Sequence, residues 1–241
     1  MIRMSIAVSI ALAFIVAVPS AGTAFTPPAC DKNDAVCGEF RTLYTTDQFE
    51  AVISRAESSQ SYSAASRYYI GQSFLAVAGR ETNTLEQEDH YCRKALEYGA
   101  TSAYMGLYFI HAVTDPEKAL GYLEQYAATN PQDSVPFVIL GETELNRKNY
   151  RKAETYLQAA RKVARGRSSN LDWLSFQASY LLGDYASAVS LFESAVTQGH
   201  GAGELRSLMT DPRFAGIEKR PEFRKYEPLF KGTSARSTQS N

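Results

Sequence analysis

Three stretches of the chain, DPEKALGYLEQYAATNP (115–131), KNYRKAETYLQAARKVA (148–164) and GDYASAVSLFESAVTQG (183–199), lie over one another once the first is shifted by one residue. Ala119, Ala153 and Ala188 then share a column, 34 and 35 residues apart. Tyr150 and Tyr185 stand three residues before the second and third of these alanines, and Ala160 and Ala195 stand seven after them. A period near 34 residues marks stacked helix-turn-helix units. The column of small residues has a packing reason. Two helix backbones approach closely only where side chains are small, and one pair cannot bury both its faces, so neighbouring pairs must stack.

Outward from these stretches, apolar residues recur at three- and four-residue spacing, Gly and Pro fall between segments, and no period-two strand interrupts them. This predicts an all-α chain with helices at 40–59, 62–79, 85–98, 101–113, 116–129, 134–147, 149–165, 171–182 and 184–197, and short helical pieces within 203–227. Asp115-Pro116-Glu117 places a capping Asp before Pro and an acid in the first turn, and Asn130-Pro131 stops the same helix. Gly99 and Gly199 suit helix C-termini, where a left-handed residue is wanted.

These residues resemble the tetratricopeptide repeat (TPR) family. Phe137-Leu140-Gly141 matches the first helix of that repeat, and Trp173-Phe176-Tyr180 occupies the same rows without the Gly. Gly183, Asp184, Tyr185 and Ala188 match the start of its second helix. The resemblance is fullest over 134–198 and weaker over 101–131. Upstream, Gly71 and Ala95 fit only if the turn GRETNT (79–84) holds an insertion. MTDPRFAGIEKRPEFRKYEPLF (209–230) resembles the Asp-Pro-x-Phe tails that close such arrays.

The resemblance implies a TPR-like α-solenoid of antiparallel helix pairs wound as a right-handed superhelix, whose first helices line a concave surface that binds peptides or proteins. The residues it assigns to that surface are Tyr68, Gln72, Tyr104, Tyr108, Glu142 and Gln177, with packing between repeats as their competing role. A tyrosine suits recognition because it offers a broad aromatic body and a hydrogen-bonding tip. Val138 and Glu142 stand where the family's clamp for a C-terminal carboxylate wants polar or basic groups, so that mode is not expected.

The chain opens with Arg3, a 13-residue run from Ile6 to Val18 that is apolar except for Ser9, then Pro19, Gly22 and Ala24. That pattern reads as a secretory signal cleaved after Ala24; the run falls short of the roughly 20 apolar residues a spanning helix needs. The expected organisation is a cleaved signal at 1–24, an N-terminal extension at 25–39, degenerate helical repeats at 40–100, TPR-like repeats at 101–199, capping helices at 200–230 and a disordered polar tail, KGTSARSTQSN, at 231–241. A periplasmic or secreted bacterial location follows, with no transmembrane segment in the mature chain. In an oxidising compartment Cys30 and Cys37 read as a local disulfide; two free thiols, or one of them paired with Cys92, are the alternatives.

Charge excludes one class of partner. With 25 Lys+Arg against 26 Asp+Glu the chain is nearly neutral, whereas proteins that hold nucleic acid by counterion release are strongly basic. The charges are unevenly placed, however. Eight bases and one acid, Glu154, lie between 147 and 167, and Arg147, Arg151, Lys152, Arg161 and Lys162 form a candidate basic face. Glu81, Glu86, Glu88 and Asp89 make an acidic stretch.

Motifs for chemistry are sparse. His90, His111 and His200 belong to separate units, and His90 and Cys92, two apart on a helix, point to different sides. GHGAG (199–203) lacks the strand and the Lys-Ser or Lys-Thr ending of a phosphate loop. The expectation is therefore a non-enzyme without cofactor or metal: an exported adaptor that holds a protein or peptide in the bacterial cell envelope. The alternative is an accessory protein or enzyme that binds anionic cell-wall or membrane-surface polymer through the basic face. Apolar surface at an uncapped end would favour a homodimer.

Overall fold

The computed structural model describes residues 27–56, 61–166, 168–200 and 202–230. The expected leader at 1–24 and the tail at 231–241 lie outside the described residues. The chain divides into two compact units between Asn130 and Pro131. The first holds α1 (Ala35–Thr45), α2 (Phe49–Ala56), α3 (Ala64–Ala78), α4 (Leu85–Glu97), α5 (Ala103–His111) and α6 (Pro116–Thr129). The second holds α7 (Val135–Asn146), α8 (Tyr150–Val163), α9 (Ser169–Leu181), α10 (Tyr185–Thr197) and α11 (Ala202–Thr210), then 3₁₀ turns at Pro212–Phe214, Ile217–Lys219 and Pro221–Tyr226. Among the described residues there is no strand.

Within each unit the helices pack as antiparallel pairs in TPR-like fashion. The closest partners are α3 with α4 and α5 with α6 in the first unit, and α7 with α8 and α9 with α10 in the second. In turn α4 packs on α5, and α8 on α9, so each pair rests on the next. The alanine column is where the repeat predicts it: Ala119, Ala153 and Ala188 are buried, as are Ala95, Ala160 and Ala195. Gly141 marks the closest approach, because a Cβ there would run into the Leu157 side chain of α8. Gly71 plays the same part for α3, with Ala100 Cβ 3.0 Å from where its own Cβ would stand.

Local chemistry sets the helix ends. Thr84 and Gln87 form a reciprocal capping box at α4, Asp115 accepts from the Lys118 amide at α6, and Asp184 from the Ser187 amide at α10. Gly99, Gly183 and Gly199 take positive φ after α4, α9 and α10. Lys148 does so as well, at φ 65°, in the repeat position that Gly183 fills one unit later.

The expected helix over 40–59 is two helices. The break comes after Thr45, where Asp47 turns left-handed at φ 56°. Thr46 helps to end α1, its hydroxyl bonding back to the Thr42 carbonyl at 2.9 Å. The first helix also opens earlier than expected, at Ala35, because Asp34 caps it by accepting from the Cys37 amide at 2.9 Å. Cys37 is thus buried inside α1 and is bridged to Cys30, with Cα atoms 5.6 Å apart; Cys92 is unpaired and buried on α4.

The C-terminal turns close the second unit. Phe214, Ile217, Phe223 and Phe230 are buried in one cluster with Trp173, Phe176 and Phe192. Arg213 ties this segment down, donating to the Leu145 carbonyl at 3.1 Å while its guanidinium is held by Asp211 at 2.6 Å.

Candidate functional site

In the first unit, Tyr68 and Gln72 lie on α3 and Tyr104 and Tyr108 on α5, all half-buried. Tyr68 sits against Tyr69, ring centroids 5.4 Å apart. Burial, with Tyr44 and Tyr69 nearby, pushes its hydroxyl up to about 12. Tyr104 stacks on Tyr122 of α6 at 6.4 Å, and His111, two turns further along α5, stacks on the same Tyr122 ring at 5.6 Å. Of the four positions, Tyr104 is therefore engaged in packing between helices of its own pair.

Around Tyr122 a polar cluster joins three helices. His111 Nε2 lies 2.7 Å from Asp89 Oδ1, Arg93 donates to Asp89 through Nε at 2.5 Å, and it also donates to the Tyr122 hydroxyl at 2.9 Å. Burial works against the Asp89 carboxylate, but hydrogen bonds from Arg93 and His111 outweigh it and hold its pKa below the ordinary value. The members answer one another, so the chemistry of the cluster is that of a staple. It fixes α4 to both helices of the following pair.

One turn before Cys92, Glu88 faces inward. It is 2% exposed, one carboxylate oxygen has no hydrogen-bond partner, and burial pushes its pKa up to about 7. Burial likewise pushes the Cys92 thiol up to about 12, with Glu88 and Asp89 adding to it. The acidic stretch 81–90 is thus only partly solvated. His90 is exposed while Cys92 is buried, so the two do point apart. Among the described residues no group of three His, Cys, Asp or Glu is arranged to hold a metal.

In the second unit, Glu142 is exposed on α7 and Gln177 half-buried on α9. The basic residues Arg147, Arg151, Lys152, Arg161 and Lys162 are all exposed along α7's end and α8. Lys152 donates to Glu144 at 3.0 Å, and Arg161 stands 3.8 Å from Asp172. Glu144 is buried and also accepts from Asn149 at 2.7 Å; these donors outweigh the cost of burial and lower its pKa. Asp172, equally enclosed, accepts from Ser194 at 2.6 Å and Gln198 at 2.8 Å. An open cleft of about 480 Å³ lies beside it between α8, α9 and α10, lined by Arg161, Leu171, Asp172, Ser190 and Ser194 among others.

No helix among the described residues is long and apolar enough to cross a membrane. No family model and no curated protein sequence matches the chain. Among solved structures it is similar to a chain in the crystal structure of the APC/C hetero-tetramer Cut9-Hcn1, at 14% identity and a TM-score of 0.43, over 85% of this chain. It spans 39% of that chain's length.

Proposed function

We propose that the protein is a non-catalytic scaffold that holds a protein or peptide partner, acting after export in the bacterial cell envelope. The observation that carries this is the layout of each helix pair. The alanine and glycine seam is sealed, yet polar and aromatic positions on the first helices, Tyr108, Glu142 and Gln177, keep access to solvent. A helix pair held rigid by its buried seam presents such side chains in fixed positions, which lowers the ordering cost of binding. The Cys30–Cys37 bridge supports an oxidising compartment.

The test is affinity capture from the envelope fraction of the source cells with the full chain as bait. A partner recovered in stoichiometric amount with the wild type, and lost with Glu142→Ala plus Gln177→Ala while the melting temperature stays within a few degrees, supports the reading. Partner retention by that variant would remove the groove from the account.

A further inference from the structure

The exposed face of α8 carries charges that the fold does not use. Arg151, Thr155, Gln158 and Lys162, at spacings of four, three and four, form one exposed row on the helix. Among the described residues neither Arg151 nor Lys162 has a carboxylate at ion-pair distance, in contrast to Lys152 and Arg161. Arg151 also stands in the first helical turn, where the helix dipole disfavours a cation. The corresponding turns of α4 and α6 carry acids there instead. Next to it, exposed Lys148 holds the left-handed backbone that glycine holds in the following repeat. A cation kept where the helix dipole disfavours it, in a row without carboxylate partners among the described residues, calls for a charge from outside.

From this row we infer that the α8 face docks an acidic polypeptide segment. The inference rests on the scaffold reading and names the chemistry of the partner. At 1.5 Å rise per residue, Arg151 and Lys162 are separated by roughly 16 Å along the axis. An extended chain covers that distance in about five residues. The occupant is thus a short extended stretch with Asp or Glu near both ends. One acid meets Arg151 with Lys148, the other meets Lys162, and the exposed Gln158 amide serves the peptide backbone between them. The planar fork of arginine can bind both oxygens of a carboxylate, and the scaffold reading makes that carboxylate a polypeptide's. Such contacts at an exposed surface weaken as salt rises.

The full chain is titrated into a fluorescein-labelled eight-residue peptide of alternating Glu and Ser, with anisotropy as the readout. Saturable binding is expected at about 50 mM salt, at least tenfold weaker at about 500 mM. Arg151→Glu with Lys162→Glu is expected to weaken it more than tenfold at unchanged melting temperature. Lys148→Gly separates the roles: it relieves the backbone, so the melting temperature rises while peptide affinity falls. Absence of peptide binding, or equal binding by the double variant, overturns the inference. Tighter binding of polyphosphate of matched charge also overturns it, in favour of an anionic polymer. If the peptide fails while envelope capture still yields a partner that depends on Glu142 and Gln177, this inference falls and the scaffold reading stands.

Discussion

A Cβ on Gly141 would lie 2.7 Å from both Cγ and Cδ2 of Leu157. Leu157 is 1% exposed and has nowhere to retreat, so α7 and α8 can meet this closely only through a residue without a side chain. Gly141→Ala is expected to lower stability by about 1–3 kcal/mol despite alanine's better helix propensity. In a urea titration, Leu157→Ala added to it should cost less than the two single losses combined, because the smaller side chain makes room.

Lys148 and Gly183 occupy the same repeat position with φ of 65° and 83°. A side chain in that conformation is strained, and only one of the two residues avoids it. Lys148→Gly should gain roughly 1 kcal/mol and Gly183→Ala lose about the same. Thermal melting of the two variants checks both signs.

Glu88 gives a pH signature. Its folded pKa of about 7 lies above the ordinary 4.5, so the folded protein binds the proton more tightly than the unfolded chain. Its contribution is fully present below about 4.5 and is lost as pH rises through about 7, with a total on the order of 3 kcal/mol at most. Glu88→Gln removes that slope. The stability difference between variant and wild type should therefore move in the variant's favour from pH 5 to pH 8, and a flat difference would contradict the buried carboxyl with its one unpartnered oxygen.

Cys30 and Cys37 close a short loop, seven residues apart in sequence. Replacing both with serine should cost about 2 kcal/mol, near the low end for a disulfide. Cys92 should stay unreactive toward a thiol reagent until the chain unfolds, since it is buried and its thiol is pushed up to about 12. A single slow-reacting thiol under native conditions, and one fast thiol in denaturant, is the expected outcome.

The repeat was legible because its code is one of size. Small residues at 34- and 35-residue spacing have few uses besides a helix seam, and Ala119, Ala153 and Ala188 are all inside. The start of the chain was less so. Apolar periodicity runs through Thr45, Thr46 and Asp47, and only the backbone shows that Asp47 turns left-handed and divides one expected helix into two. The buried carboxylates were the least legible. Glu88 falls on the same helical stripe as buried Cys92 and Ala95, and Glu144 lies one turn after Leu140 and Gly141. Their spacing points inward, but whether a carboxylate on such a stripe finds a partner depends on residues of the facing helix, as with Asn149 and Lys152 around Glu144. The contact of Tyr104 was hidden for the same reason, since the Tyr122 ring it meets belongs to the next helix.

Everything proposed for the surface presupposes that the alanine column is the line along which the rods touch. The direct measurement is the urea-unfolding free energy of Ala153→Leu beside that of Ala186→Leu, an exposed alanine one helix face away in the next repeat. The seam substitution should cost about 1–3 kcal/mol by overpacking, and the exposed one should stay within about 0.5 kcal/mol of wild type. Equal stability of the two variants would contradict the paired-helix account.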